Sequence, residues 1–168
     1  MIDGDAVVHE LVLPAPPTDV FDMFVDAEKL VTWIGISADL EARADGRFRF
    51  ELMPGQYCEG HYVTVERPHR VVFTWGWTDP SMGLPPGSST VEVTFEPDDA
   101  GRSTRLRLVH RGLPDTEHGR LLHDDGWTRF VARLEAVVAS EQPPDYPTEQ
   151  PGEGLDQLRE RAPETRGG

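Results

Sequence analysis

The chain has 168 residues, room for one domain and little more, and its 30 acidic against 16 basic residues leave a formal net charge of −14. So acidic a chain lacks the basic footprint that nucleic acids or anionic membrane surfaces require, which excludes both as partners. One cysteine, Cys58, allows no internal disulfide, and no apolar run approaches the ~20 residues of a membrane helix, so a soluble, cytoplasmic protein is expected.

In chain order, VVHELVL (7–13) reads as a strand. Ala15-Pro16-Pro17 opens a helix, because proline suits a first helical turn, and Asp19 complements that helix's N-terminal dipole. Val20, Phe21 and Phe24 form its apolar stripe, and Asp26 can cap a second short helix in which Leu30, Trp33 and Ile34 share a face.

From Gly35 to Arg111 the apolar period changes from 3.6 to 2. Ile36, Ala38 and Leu40 alternate with polar residues; Asp45-Gly46 is a hairpin turn; Phe48, Phe50 and Leu52 alternate with Arg47, Arg49 and Glu51. Pro54-Gly55 turns the chain into a strand from Tyr57 to Glu66, and Pro68-His69 turns it again. Val71, Phe73, Trp75 and Trp77 alternate next, then a twelve-residue loop (78–89) intervenes, with Met82 and Leu84 expected exposed there as a gate or a dimer contact. Val91, Val93 and Phe95, then Leu106, Leu108 and His110, complete an antiparallel meander of about six strands. Helical spacing returns in Trp127, Phe130, Val131, Leu134, Val137 and Val138, one stripe along a long helix with Arg129, Arg133 and Glu135 off it. From Gln142 onward only Tyr146, Leu155, Leu158 and Ala162 are apolar, so 142–168 reads as a Pro/Gly-rich acidic tail on a domain of residues 5–141.

A fold of α+β class follows. About seven antiparallel strands curve around the C-terminal helix, the one element long enough to cover their apolar face, with two short helices after the first strand. Where sheet and helix diverge a wedge remains, the root of a ligand-cavity expectation.

Several phrases in this order resemble the START-like, helix-grip superfamily called SRPBCC, in the branch of homologues of the activator of the heat-shock-protein-90 ATPase. They are PAPPTDVFDMFVDAEKLVTWIG (14–35), the hairpin Gly46, EGHYVTVERPHRVVFTWGW (59–77), VEVTFEP (91–97), LRLVHRGLP (106–114) and GWTRFVARLEAVV (126–138). The resemblance implies a helix-grip fold with an interior cavity. It implies no single activity, since the superfamily hosts carriers, receptors, cyclases, dehydratases and co-chaperone modules.

Strand and helix periodicity turn Phe48, Phe50, Phe73, Trp75 and Trp77 inward together with Trp33 and Trp127. With Tyr62 and His110 they are the candidate ligand-binding residues, for a small hydrophobic or aromatic molecule. Alternation puts Tyr57 and Tyr62 on opposite faces and leaves open which faces in. His110 is the candidate catalytic residue under a cyclase or dehydratase alternative, as an acid/base near His123 and Asp124. A protein-interaction module, or a homodimer contact, is the other alternative. The six histidines and Cys58 show no metal-ligand spacing, and no nucleotide or other cofactor motif is present, so neither metal nor cofactor is expected.

Overall fold

The computed structural model describes residues 1–144; the reading of 145–168 as tail lies outside the described residues. Among those described, eight strands form one antiparallel sheet: β1 (Ile2–Asp3), β2 (Ala6–Leu13), β3 (Ser37–Leu40), β4 (Arg47–Met53), β5 (Gln56–Glu66), β6 (Arg70–Trp75), β7 (Ser89–Asp98) and β8 (Ser103–Arg111). Their order across the sheet is β1-β2-β8-β7-β6-β5-β4-β3. The strand beyond the expected seven is β1, a two-residue hairpin partner of β2 turned at Gly4, too short to show a period in the sequence. Three helices complete the fold: α1 (Pro17–Val25), α2 (Ala27–Leu30) and α3 (Leu122–Val138).

The expected local signals operate. Asp26 Oδ1 accepts the backbone N–H groups of Glu28 (2.9 Å) and Lys29 (3.4 Å), capping α2. At the β3–β4 turn Asp45 takes a positive φ of 64°, and a Cβ on Gly46 would stand 1.9 Å from the Glu41 carbonyl oxygen, so only glycine fits there.

The covering of the apolar face differs from expectation, because α3 does not cover it alone. Phe21 and Phe24 of α1 pack edge-on against Phe95 of β7, with ring centroids 5.3 and 5.5 Å away. α3 packs along β2, whereas α1 lies against β6, β7 and β8. Arg133 joins these layers. It lies off the apolar stripe yet is nearly buried: its Nε donates to the Trp33 carbonyl (3.1 Å), one terminal nitrogen to Thr32 O (3.3 Å) and the other to Pro144 O.

Candidate functional site

The inward residues form two groups along the sheet, which meet where Phe50 packs against Trp75 (5.3 Å) and Trp77 (6.0 Å). In the first, Phe48 of β4 stacks on Phe73 of β6 with centroids 4.1 Å apart, and Phe50 and Tyr62 meet Phe48 edge-on at 6.0 and 5.6 Å. Trp33 packs edge-on against Phe24 at 5.0 Å and donates its indole N–H to Met23 O at 3.0 Å. Tyr62 faces inward and donates its hydroxyl to the Phe24 carbonyl at 3.0 Å, while burial pushes its phenol pKa up. A register shift between Tyr62 and Thr64 adds one residue to β5, so Tyr62 and Val65 both turn toward the core and Val63 turns out. Tyr57 lies on the outer face under the Arg49 guanidinium, 4.0 Å from its ring. Thus Trp33, Phe48, Phe50, Tyr62 and Phe73 are buried core side chains, and none of them lines the cleft beside the second group.

The second group holds Trp75, Trp77, Trp127, His110 and His123. The two histidines lie 5.2 Å apart between ring centroids. Around His110 the bonds have one consistent direction. The Trp127 indole N–H donates to His110 Nδ1 (3.0 Å), His110 Nε2–H to Ser89 Oγ (2.7 Å), and the Ser89 hydroxyl to Trp75 O (2.8 Å). Around His123, Nδ1–H donates to the His118 carbonyl (2.7 Å), while Nε2 accepts both the Trp77 (3.0 Å) and Trp75 (3.3 Å) indole N–H groups. The five-residue step from His118 to His123 follows from a π-helical turn, Glu117–Leu121, that leads into α3 and is capped by Thr116 Oγ1. Both imidazoles are therefore held neutral. Burial lowers the pKa of His123 to about 4, and burial with the neighbouring His123 lowers that of His110 well below its ordinary value.

This network borders a cleft. β6 ends at Trp75; Gly76 then breaks the strand, and Trp77 pairs instead with Cys58 of β5. A Cβ on Gly76 would lie 1.7 Å from Pro85 O, so glycine is required for the loop to fold back. Trp77 N–H donates to Leu84 O at 2.7 Å, which fixes the loop over the sheet end. Met82 and Leu84 are consequently buried, contrary to the exposure expected for them, because the loop packs onto the tryptophans. The cleft wall comes from Leu52, Trp75, Trp77 and Met82 on the sheet side, and from Leu122, His123, Gly126, Trp127 and Phe130 on α3. The cavity it encloses is about 30 Å³; the larger space of about 330 Å³ includes open solvent at its mouth. Gly126 leaves a notch in this wall: a Cβ there would meet nothing within 4 Å.

The family model for "Activator of Hsp90 ATPase homolog 1-like protein" matches residues 14–139, which is most of the chain and includes every residue of this site. The chain belongs to the AHSA1 family. Among solved structures it is similar to an AHSA1-like protein from Rhizobium etli, 33% identical, covering 86% of this chain and 88% of that one with a TM-score of 0.66. An AHSA1 protein from Silicibacter pomeroyi is 29% identical over 80% of this chain and 98% of that one, with a TM-score of 0.67. The Hsp90 co-chaperone AHA1 of Saccharomyces cerevisiae is 25% identical over 121 residues, 71% of this chain and 33% of that protein. The chain spans about a third or less of the length of the curated relatives it matches.

Within this AHSA1 domain, the sequence-predicted residues that line the cleft are Trp75, Trp77 and Trp127, and His110 stands behind them, 5.4 Å from Trp75 and 6.1 Å from Trp127 between ring centroids. His110 is fully buried with both ring nitrogens engaged, so it could take up a proton only after losing the Trp127 bond. Nor does a carboxylate face it. Asp124 turns outward, to His9 Nε2 at 3.1 Å and to the chain's amino terminus at 2.5 Å. Sequence reasoning did not select Ser89, Leu52 or Gly126, and it named Met82 as an exposed gate or dimer contact and not as a wall residue. His123 carried a signal, its position four residues before Trp127 on one helical face, whereas Ser89 is chosen only by the pairing of β7 with β8 and has no local signature. Cys58 is buried, and burial raises its thiol pKa well above the ordinary value, so it is no nucleophile. Among the described residues no three His, Cys, Asp or Glu side chains converge as metal ligands.

Proposed function

We propose that this domain binds a small, flat, apolar molecule in the cleft between the end of β6 and the first turns of α3. The observation that carries the reading is the cleft's composition. Three tryptophans and Phe130 line the cleft together with a helical glycine, Gly126, whose Cβ position is open, and the polar groups in reach, two indole N–H groups and the His123 ring, already bond to one another. Burial of aromatic surface supplies the affinity. The enclosed hollow, about 30 Å³, is roughly tenfold below the usual volume of ligand sites, so a two-ring guest requires wall side chains to move. Met82, unbranched and part of the wall, suits that role.

Equilibrium dialysis with naphthalene tests this. Gly126→Leu places a side chain in open space, so the variant is expected to fold while its binding is lost. Equal binding by the wild type and Gly126→Leu contradicts the reading.

A second reading is favoured by a separate observation, the likeness to Hsp90 co-chaperones. In it the domain docks on a chaperone of that class. Sedimentation of the protein with purified Hsp90 distinguishes the two: a complex that persists in Gly126→Leu supports docking at a surface outside the cleft.

A further inference from the structure

Gln56 is the one buried residue of the described chain whose side-chain oxygen and nitrogen both lack a hydrogen-bond partner. It is 2% exposed. Burying an amide without partners is costly, and folded proteins rarely leave one so. Its position is informative. Gln56 begins β5 and is paired with Met53 across the β4–β5 turn, so Leu52 is the next residue along β4. On the other side of β5, Cys58 bridges to Trp77, and Thr78 N–H donates to Tyr57 O at 3.0 Å. Leu52 and Trp77 are cleft-wall residues. Alternation in β5 buries Gln56 and Cys58 on the core side, while Tyr57 lies outside under Arg49. The unsatisfied amide thus stands on the inward face of β5, behind the cleft wall, flanked by the strand that carries Leu52 and by the segment that carries Trp77.

We infer that Gln56 is a specificity-determining residue for the cleft, and that the guest is a flat ring system carrying an adjacent hydrogen-bond donor and acceptor, as in a lactam or other cis amide. The inference rests on the cleft reading above. The other polar groups near the cleft are saturated, so Gln56 alone has both a donor and an acceptor to offer. A primary amide presents N–H and C=O side by side and is complementary to a cis amide in two hydrogen bonds. Gln56 stands behind the wall and not in it, so a guest reaches this amide by displacing the Leu52 side chain, and its ring is left to the tryptophans.

The test pairs two probes of one outline, 2-quinolone with the cis amide and naphthalene without it, each titrated into the wild type and into Gln56→Met, which keeps the side-chain length without the amide. Two lost hydrogen bonds predict a weakening of roughly tenfold or more for 2-quinolone, with naphthalene unchanged. The melting temperature of Gln56→Met in the absence of probe is expected to equal or exceed that of the wild type, since no native bond is removed. If both probes bind and Gln56→Met leaves their ratio unchanged, the inference falls and the cleft reading stands. If neither probe binds the wild type, both fall. A clear drop in melting temperature, with the probe ratio unaltered, means that Gln56 bonds to structural water only and also overturns the inference. Gln56→Leu repeats the comparison should the methionine variant fail to fold.

Discussion

The phenylalanine end and the tryptophan end of the same inward face are built on one alternation and behave differently. At Phe48, Phe73 and Tyr62 the rings close on each other, and the polar atoms that enter, the Tyr62 hydroxyl and the Trp33 indole, are each finished by one main-chain carbonyl. At Trp75, Trp77 and Trp127 the indole N–H groups find imidazoles instead, and two histidines and a serine are arranged into a directed set of bonds beside a cleft. Apolar packing fills space without direction, whereas a polar network fixes side-chain orientation and holds large rings in place around an unfilled notch.

The contrast can be broken most forcefully at the packed end. Phe73→Ala removes a ring stacked in the sealed core and is expected to cost about 3–5 kcal/mol in urea unfolding, with naphthalene affinity per folded molecule unchanged. Loss of binding without loss of stability would reverse the assignment of the two ends.

Acid probes the tryptophan end. His123 is neutral in the folded protein with its pKa lowered to about 4, while in the unfolded chain it takes a proton near its ordinary value of 6.5. The unfolded state therefore binds more protons between these values. Stability is full above pH 6.5 and falls as the pH drops toward 4, by about 2 kcal/mol for His123 between pH 7 and 5. His110, lowered for the same reason, adds to the fall. Urea midpoints at pH 7 and 5 measure it; equal stabilities would contradict the buried neutral pair.

A smaller change isolates one bond. Trp127→Phe keeps an aromatic ring but removes the donor to His110 Nδ1, leaving a buried acceptor unpaired at a cost of about 1–3 kcal/mol, read in the same unfolding assay. The smallest expected effect is a gain. Gly126→Ala puts a methyl group into open space on an α-helix and should stabilise by roughly 0.5–1 kcal/mol, while weakening the binding of two-ring guests. Stabilisation without weaker binding separates the glycine from the cleft.

The sequence disclosed the packed end more fully than the open one. Period-2 spacing in RFRFELM and RVVFTW and the helical stripe from Trp127 to Val138 are local patterns, and they placed the strands, the long helix and the inward aromatics. What it withheld depends on pairing between distant segments. The extra residue in β5 turns Val65 inward as well as Tyr62, the fold-back at Gly76 buries Met82 and Leu84, and the β7–β8 register brings Ser89 to His110. Nor did alternation distinguish a ring that fills the core from one that borders a space, since Phe50 and Trp77 look alike in a strand pattern and only the path of α3 separates them.

The chain's four tryptophans supply the most direct test, because Trp33 lies in the sealed end and Trp75, Trp77 and Trp127 surround the cleft. Their indole N–H resonances should be followed in a ¹⁵N-labelled sample during titration with naphthalene. The account predicts saturable shifts of the Trp75, Trp77 and Trp127 signals with Trp33 unmoved. Four stationary signals, or a shift led by Trp33, would contradict it.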